Sequence, residues 1–250
     1  MNHIIITGPT KGIGYHLAKK LAGSVNTLHL VARSDMDDLK NELAQKGGEV
    51  FAYRADLTQT ENIGMLMDRI FGRIKPEGTR RVVLISNAGT LSPMGPLGKH
   101  DIDDYRANLD LNFVAPALLS HSFVQHLNPF ECDKRLIYIS SGAANHPYPG
   151  WSHYCSTKAG TDMLMKCIAV EQDDLESPVK VMAYNPGRTE TNMQAEIRKQ
   201  KYEDFPAVES FIRAKEKGNL NPPADVAAHI GGFVFTDRFP VGEIVKFNPS

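Results

Sequence analysis

The first 21 residues combine an apolar run, a glycine-rich turn and a helical pattern. The run 3–7 predicts a buried strand, and Gly8, Gly12 and Gly14 predict a turn whose backbone can approach a ligand closely. Apolar residues then recur at helical spacing, at Ile13, Leu17, Ala18 and Leu21. The first amide groups of a helix are free to bind a phosphate, so this segment predicts a strand–turn–helix phosphate site.

The rest of the chain continues the alternation of apolar strands and amphipathic helices. Strands are predicted at 3–7, 27–33, 49–57, 81–88, 135–140, 179–184 and 243–247. After the first helix, further helices are predicted at 35–45, 60–71, 101–127, 154–175 and 223–235. Such alternation is typical of a parallel sheet with helices on both faces. We therefore predict an α/β fold with a doubly wound, seven-stranded parallel sheet in a single domain, 1–250.

Tyr154 and Lys158 lie four residues apart in a segment whose apolar residues have helical spacing. One turn of helix places both side chains on the same face. A phenol has an ordinary pKa of about 10, and a neighbouring ammonium group favours the phenolate and lowers that pKa. Such a pair can donate a proton to a carbonyl oxygen or accept one from an alcohol.

The ends of the second and third strands indicate which nucleotide the fold would bind. In a dinucleotide-binding fold, an acidic residue after the second strand binds the adenosine ribose and repels a 2′-phosphate. This chain has Ala32 and Arg33 there, and Lys11 lies in the glycine turn. Two cations without that acid favour a 2′-phosphate. Asp56 is predicted either to accept a hydrogen bond from an adenine amino group or to cap the helix that follows.

Small and hydroxyl-bearing residues follow the fourth and fifth predicted strands. Asn87, Ala88 and Gly89 would let the backbone approach a cofactor, although the same residues also suit an ordinary strand-to-loop turn. Ser141 follows the fifth strand, where its hydroxyl can hydrogen-bond a substrate carbonyl.

Pro116 interrupts the hydrogen bonding of the long predicted helix. Because proline has no N–H, the carbonyl of Asn112 loses its usual donor four residues later. That carbonyl needs another partner, and we expect a water there that carries protons between Lys158 and solvent. The alternative is a kink without further consequence.

Composition excludes several classes of function. The chain has 250 residues and a net charge of −1, without the basic stripe that nucleic-acid binding requires. Its apolar runs are too short to span a membrane, and no secretory signal is evident at the start. Cys132, Cys155 and Cys167 have no metal-ligand spacing, so we predict no metal site, and reduced thiols in a cytoplasmic protein.

The segment 188–221 is polar, charged and weakly helical, and it follows a predicted strand end. We predict that it forms a mobile lid over the site. The apolar substrate pocket is expected to consist of this lid together with Ala143, Pro147, Tyr148, Trp151 and Met193.

With these residues in place, the chain resembles the short-chain dehydrogenase/reductase family over essentially its whole length. Six motifs occur in the family's order and near its usual spacing: Thr7-Gly8 with Gly12-Ile13-Gly14, Asn87-Ala88-Gly89, Asn112, Ser141, Tyr154 with Lys158, and Pro186-Gly187 with Thr191. The resemblance implies a Rossmann-type fold and an oxidoreductase that uses a nicotinamide cofactor. It also implies a homodimer or homotetramer, formed through the helices that begin near Asp101 and Tyr154.

The resemblance implies a role for each matching residue. Tyr154 would be the general acid in reduction, Lys158 would lower its pKa and bind the nicotinamide ribose, and Ser141 would position the carbonyl. Asn112 would hold the relay water, and family members with basic residues like Lys11 and Arg33 prefer NADP(H). The expected cofactor-binding residues are Gly8, Thr10, Lys11, Gly12, Ile13, Gly14, Arg33, Asp56, Asn87, Ala88, Gly89, Tyr154, Lys158, Pro186, Gly187, Thr189 and Thr191.

A narrower likeness is to the sepiapterin reductase and benzil reductase branch, whose substrates are vicinal dicarbonyls. It is carried by Gly150-Trp151, Tyr154-Cys155, Asp162-Met163-Leu164 and Thr191-Asn192-Met193-Gln194. Sepiapterin reductases have an aspartate near the C-terminus that binds the pterin edge, and Lys246 occupies that position here. This departure favours a broader ketone or dicarbonyl reductase over a pterin reductase.

The sequence therefore predicts an NADPH-dependent carbonyl reductase acting on a small-molecule carbonyl substrate. The enzymatic alternatives are a 3-oxoacyl or hydroxysteroid dehydrogenase of the same family, or a sepiapterin reductase. A regulator that binds NADP(H) without turnover is the non-enzymatic alternative, and the presence of Ser141, Tyr154 and Lys158 counts against it.

Overall fold

The computed structural model describes residues 1–248, which contain one seven-stranded parallel sheet. The strands are β1 Asn2–Thr7, β2 Asn26–Ala32, β3 Val50–Arg54, β4 Arg81–Ser86, β5 Asp133–Ile139, β6 Val179–Asn185 and β7 Ile244–Lys246. Their order across the sheet is β3-β2-β1-β4-β5-β6-β7. The predicted fold class is thus confirmed, and strand bounds differ from the predicted ones by at most three residues.

Helices cover both faces of this sheet. They are α1 Gly12–Leu21, α2 Asp37–Ala44, α3 Ile63–Phe71, α4 Ile102–Leu109, α5 Ala115–His126, α6 Ser152–Gln172, α7 Asn192–Arg198, α8 Val208–Glu216 and α9 Pro223–Phe235. Short 3₁₀ turns occupy Thr60–Asn62 and Gly142–Ala144. Among residues 1–248, no helix combines the length and apolar character that a membrane crossing requires.

The alternation of side chains along each strand divides the core into two layers. Ile4 and Ile6 of β1 pack with α1, α2 and α9 on one face, whereas Ile5 packs with α3, α5 and α6 on the other. Because successive residues of a strand point to opposite faces, an apolar run such as 4–6 suits a sheet buried on both sides.

The sheet also fixes where a site can form. The strand order reverses between β1 and β4, which are neighbours in the sheet but not in the chain. In open α/β sheets ligands bind beyond the carboxyl ends of the strands at such a point. The glycine turn after β1 and the Asn87 turn after β4 both lie there.

Two predicted segments have more structure than the sequence indicated. The helix predicted at 101–127 consists of α4, a π-helical turn at Asp110–Val114, and α5. The segment 188–221, predicted to be weakly helical, contains the regular helices α7 and α8.

Candidate active site

The turn after β1 requires glycine at three positions, Gly8, Gly12 and Gly14. Gly8 and Gly12 have φ values of +66° and +57°, which a residue with a Cβ rarely adopts. A Cβ on Gly14 would collide with the carbonyl oxygen of Gly8. Helix α1 begins at Gly12, so its free N-terminal amide groups lie in this turn beside Thr10 and the exposed Lys11. The turn thus has the backbone geometry that binds phosphate.

Asn87 fastens this turn to the end of β4. Its side-chain amide donates to the carbonyl oxygens of Thr7 and Gly8, at 3.0 and 3.1 Å. The Thr7 hydroxyl in turn accepts from the backbone amides of Asn87 and Ala88, at 2.9 and 3.0 Å. A Cβ on Gly89 would lie 3.0 Å from Asn112 Oδ1. Asn87 and Gly89, which were predicted to let a cofactor approach, are therefore also required by packing between the ends of β1 and β4.

Helix α6 places Tyr154 and Lys158 below the end of β5, and both are almost fully buried. Lys158 Nζ donates to the carbonyl oxygen of Ile139 at 2.8 Å and lies 5.7 Å from the centre of the Tyr154 ring. A Cβ on Gly89 would lie 3.9 Å from the same Nζ atom, so the lysine also reaches the end of β4. Ser141 begins the turn after β5, where its Oγ accepts from the amide of Ala143 at 3.2 Å.

Burial shifts the pKa values of Tyr154 and Lys158 in opposite directions. It raises the pKa of Tyr154 to about 12, and a hydrogen bond with Ser141 opposes this rise. It lowers the pKa of Lys158 to about 8, opposed by the charge of Asp162. The expectation that Lys158 gives Tyr154 a lowered pKa is wrong for this structure, because desolvation of the phenol sets the direction of the shift and Ser141 is the group that opposes it. A phenol that stays protonated at neutral pH is suited to donate a proton.

The backbone carbonyl of Asn112 has a partner that the sequence did not indicate. It lies in the π-helical turn, and the hydroxyl of Thr161 donates to it at 3.2 Å. The same hydroxyl lies 2.8 Å from the carbonyl oxygen of Thr157. A protein hydroxyl from α6 therefore reaches this carbonyl, which has a second lone pair for the relay water, so the water stays a prediction.

The side chain of Asn112 organises the loop after β4. Its Oδ1 accepts from the amide of Thr90 at 3.0 Å, and its Nδ2 donates to the Thr90 carbonyl at 2.8 Å. Asn108, one turn earlier and fully buried, accepts from the same Nδ2 at 2.8 Å and donates to the Ser92 carbonyl at 2.8 Å. Sequence reasoning missed Asn108, although its spacing of four from Asn112 could have indicated it.

Arg33 and Asp56 lie together at the edge where β2 and β3 end. Arg33 Nη1 is 3.6 Å from Asp56 Oδ2, and the Arg33 side chain is 80% exposed. Asp56 Oδ1 accepts from the amide and hydroxyl of Thr58, at 3.0 and 2.8 Å. The 3₁₀ turn that leads into α3 has Gln59 before it, so the interpretation of Asp56 as a helix cap is wrong.

The segment after β6 returns to the glycine turn. Thr191 begins α7, where its hydroxyl accepts from the Gln194 amide at 3.3 Å, and its methyl group would lie 3.3 Å from a Cβ on Gly12. The buried Thr189 donates to the Pro186 carbonyl at 3.0 Å, and Gly187 takes a φ of +65°. The structure thus brings the residues after β6 against the turn after β1.

An aromatic cluster adjoins Tyr154. Trp151 lies 5.6 Å from the Tyr154 ring, stacks on Phe205 and contacts Phe211. Four of the predicted substrate residues, Ala143, Tyr148, Trp151 and Met193, belong to this cluster. Pro147 is exposed and does not belong to it. Sequence reasoning missed Phe205 and Phe211, although Phe205, Val208 and Phe211 recur every three residues within a polar segment.

Lys246 lies on β7, the edge strand opposite β3 in the sheet. It is the last residue of β7, pairs with Asn185 of β6 and is exposed. Asn185 directly precedes Pro186 and Gly187, so Lys246 is close along the sheet edge to the residues after β6.

Comparisons with known proteins agree with this arrangement. A family model described as short chain dehydrogenase matches residues 2–202. A benzil reductase ((S)-benzoin forming) from Bacillus cereus is 37% identical over 248 residues, 99% of this chain and 100% of that protein. A sepiapterin reductase from Rattus norvegicus is 33% identical over 257 residues, 97% of this chain and 95% of that protein.

A solved structure shows the same fold at lower identity. A short chain dehydrogenase/reductase from Saccharomyces cerevisiae has a TM-score of 0.83 and 22% identity, with 100% of this chain and 97% of that chain covered. The family binds nicotinamide cofactors, and the glycine turn, with its free helix amides, fits such a group. The chain belongs to the short-chain dehydrogenase/reductase family and is an oxidoreductase of the carbonyl reductase type.

Proposed function

We propose that this protein is an NADPH-dependent reductase of small ketones and vicinal dicarbonyls. The observation that carries the proposal is the placement of Tyr154 and Lys158, both buried, below the turn that begins with Ser141. The 37% identity with a benzil reductase supports a dicarbonyl substrate.

The chemistry divides between the cofactor and the chain. When bound, NADPH supplies the hydride that is added to the carbonyl carbon. Tyr154 donates a proton to the carbonyl oxygen, and its raised pKa keeps it protonated until the substrate oxygen becomes basic. The Ser141 hydroxyl orients that oxygen, and Lys158 faces the developing phenolate. The proton would be replaced from the water expected at the Asn112 carbonyl, which also accepts from the Thr161 hydroxyl.

The choice of NADPH over NADH rests on the cations at the adenosine end. Lys11 precedes α1 and Arg33 follows β2, and both side chains are exposed. Asp56 accepts from Thr58 through one oxygen and faces Arg33 through the other. Because the Arg33 side chain is 80% exposed and its contact with Asp56 is long, at 3.6 Å, it can turn towards a 2′-phosphate, which a guanidinium group binds through two parallel hydrogen bonds.

The preference for a diketone over a pterin rests on two parts of the site. The aromatic cluster around Trp151 offers flat apolar side chains beside Tyr154, which suits an aryl or alkyl substituent. By the resemblance, Lys246 at the end of β7 corresponds to the acid that binds the pterin in sepiapterin reductases, and an ammonium group cannot accept the hydrogen bonds that a pterin edge donates. We therefore infer that 1,2-diketones such as benzil are better substrates than sepiapterin.

One kinetic panel tests this function. Oxidation of NADPH and of NADH is followed by absorbance with benzil, an aliphatic 1,2-diketone, sepiapterin, a 3-oxoacyl thioester and a ketosteroid. We expect the highest kcat/KM for a diketone with NADPH. A preference for the thioester or steroid would replace the proposed function by one of those dehydrogenase activities, and cofactor binding without turnover of any substrate would favour a regulator.

We also propose a homodimer or homotetramer. The outer faces of the π-helical turn, α5 and α6 expose Phe113, Leu118, Met163 and Val170, with Val170 76% exposed. Large apolar side chains grouped on neighbouring helices are typical of contacts between subunits. Light scattering combined with size-exclusion chromatography measures the state, and a monomer at micromolar concentration would contradict the proposal.

A further inference from the structure

Helix α6 carries a carboxyl group in line with the two residues that do the proposed chemistry. Tyr154, Lys158 and Asp162 follow at intervals of four residues, so they lie on one face of the helix. Asp162 is only 4% exposed. A buried carboxylate is costly unless another charge or a hydrogen-bond donor compensates it. The position of Asp162 therefore requires an explanation.

The surroundings of Asp162 supply few hydrogen bonds. Among residues 1–248, neither of its carboxyl oxygens has a hydrogen-bond partner, and the buried hydroxyls of Tyr138 on β5 and of Ser140 directly after it have none either. Burial raises the pKa of the Asp162 carboxyl and Ser140 partly offsets this rise, so the two side chains are neighbours although they form no hydrogen bond. The Asp162 carboxyl and the hydroxyls of Ser140 and Tyr138 thus lie near Lys158 without hydrogen bonds between them.

Lys158 is the charge next to this group. Its Nζ lies 4.6 Å from the centre of the Tyr138 ring and bonds the carbonyl oxygen of Ile139. Lys166, one turn beyond Asp162, also acts on the carboxyl, but its side chain is exposed to solvent. Tyr138 is the titratable neighbour contributed by β5. The buried pair is therefore Lys158 and Asp162.

We propose that Asp162 is a positioning residue that keeps Lys158 in its ammonium form beneath Tyr154. The proposal rests on the proposed function, because a reductase needs that ammonium ion beside the phenol during turnover. Asp162 would touch neither substrate nor cofactor and would act only through Lys158.

The electrostatic balance agrees with this geometry. Burial lowers the pKa of Lys158 to about 8, and the charge of Asp162 raises it. Burial raises the pKa of Asp162, and Lys158 lowers it. Each group thus favours the charged form of the other, and the loss of one would shift the pKa of its partner towards the neutral form. Without Asp162, Lys158 would lose its proton closer to neutral pH.

The test compares Asp162→Asn with Lys166→Gln. Protein labelled with ¹³C at lysine Cε is titrated by NMR, and Lys158 is assigned with Lys158→Arg. We expect the Lys158 pKa to fall by about 1 unit in Asp162→Asn, the lower end of the usual effect of a close opposite charge. It should change little in Lys166→Gln. This titration needs no substrate, so its outcome is separate from that of the proposed function.

Kinetics provide the second readout. The alkaline limb of kcat/KM against pH should move down by the same amount in Asp162→Asn, while activity at pH 6 stays close to that of the parent. A purely structural role would lower activity equally at every pH. An unchanged Lys158 titration in Asp162→Asn would overturn the proposal.

The parent protein offers a measurement that does not depend on the folding of a variant. Aspartate labelled with ¹³C at the carboxyl carbon reports the ionisation of Asp162, and Asp162→Ser provides the assignment if Asp162→Asn does not fold. The proposal requires an ionised carboxylate between pH 7 and 9. A carboxyl that remains protonated over this range contradicts it.

Discussion

The indole of Trp151 stacks on the ring of Phe205, with centroids 4.3 Å apart and planes 15° apart. Trp151 directly precedes α6, and Phe205 is a fully buried residue between α7 and α8. Asp204 forms an ion pair with Lys99 from the loop after β4. The segment proposed as a lid is therefore anchored at its middle to the start of the helix that carries Tyr154.

Phe205→Ala should weaken this anchor. Removing a buried phenylalanine side chain costs about 3–5 kcal/mol of stability where the site cannot collapse. We expect a lower free energy of unfolding in urea, faster proteolysis at Lys199 and Lys201, and a raised KM. Tyr202→Ala is the matched control, because Tyr202 is 63% exposed. Equal effects of the two substitutions would show that the stack does not hold the segment.

Tyr154→Phe removes the proposed acid while keeping the shape of the side chain. We expect kcat to fall by roughly a hundredfold or more, the scale of general acid catalysis, with NADPH binding nearly unchanged. Absorbance kinetics with benzil and a fluorescence titration with NADPH measure the two effects. Tyr202→Phe should retain the parent rate. A Tyr154→Phe variant within a few fold of the parent would remove Tyr154 from the mechanism.

Arg33→Ala tests the choice of cofactor. Truncating a charged pair of this kind typically costs about 2 kcal/mol or more, so NADPH should bind at least tenfold more weakly. NADH, which lacks the 2′-phosphate, should bind as before. Lys40→Ala removes an exposed cation from α2 and serves as the control. Equal losses for both cofactors would contradict the assignment of Arg33 to the 2′-phosphate.

Lys246→Asp tests the origin of the substrate preference. A carboxylate can accept two hydrogen bonds from a pterin edge, whereas the ammonium group of Lys246 accepts none. We expect kcat/KM for sepiapterin to rise relative to that for benzil. Lys246→Ala removes the amine without adding an acceptor and should not produce this change. If the parent already prefers sepiapterin, another residue binds the pterin or Lys246 is not its counterpart.

Two buried histidines should make the fold sensitive to acid. His3 Nδ1 lies 3.2 Å from His29 Nε2, and His29 Nδ1 lies 3.1 Å from the Tyr53 hydroxyl. Burial lowers the pKa of His3 to about 4 and that of His29 to about 3. The unfolded chain binds protons on both from about pH 6.5 downward, so stability falls as pH falls below that value.

The free energy of unfolding is expected to fall by about 2 kcal/mol per histidine between pH 7 and pH 5. His29→Gln cannot be protonated, so the difference in unfolding free energy between these pH values should shrink by about half. The control is His121→Gln, at an exposed position of α5. Urea unfolding at both pH values measures the effect. An unchanged difference in His29→Gln would exclude the buried pair as its cause.

Local patterns in the sequence were sufficient for the architecture and for naming the candidate site residues. The apolar run 4–6 indicates a strand buried on both faces, and the glycine turn followed by helical spacing indicates a βα unit. Repetition of that pattern leaves few topologies, because parallel strands need right-handed crossovers. The four-residue interval between Tyr154 and Lys158 is likewise a local property of helix geometry.

Contacts between distant segments were decided only by the tertiary structure. The donor to Asn112 is Thr161, 49 residues away, and the partner of Trp151 is Phe205, 54 residues away, so neither follows from spacing. The pKa of Tyr154 also depends on the fold. A sequence shows that an ammonium group lies one turn away, but the extent of desolvation depends on packing from every side, and here desolvation determines the direction of the shift.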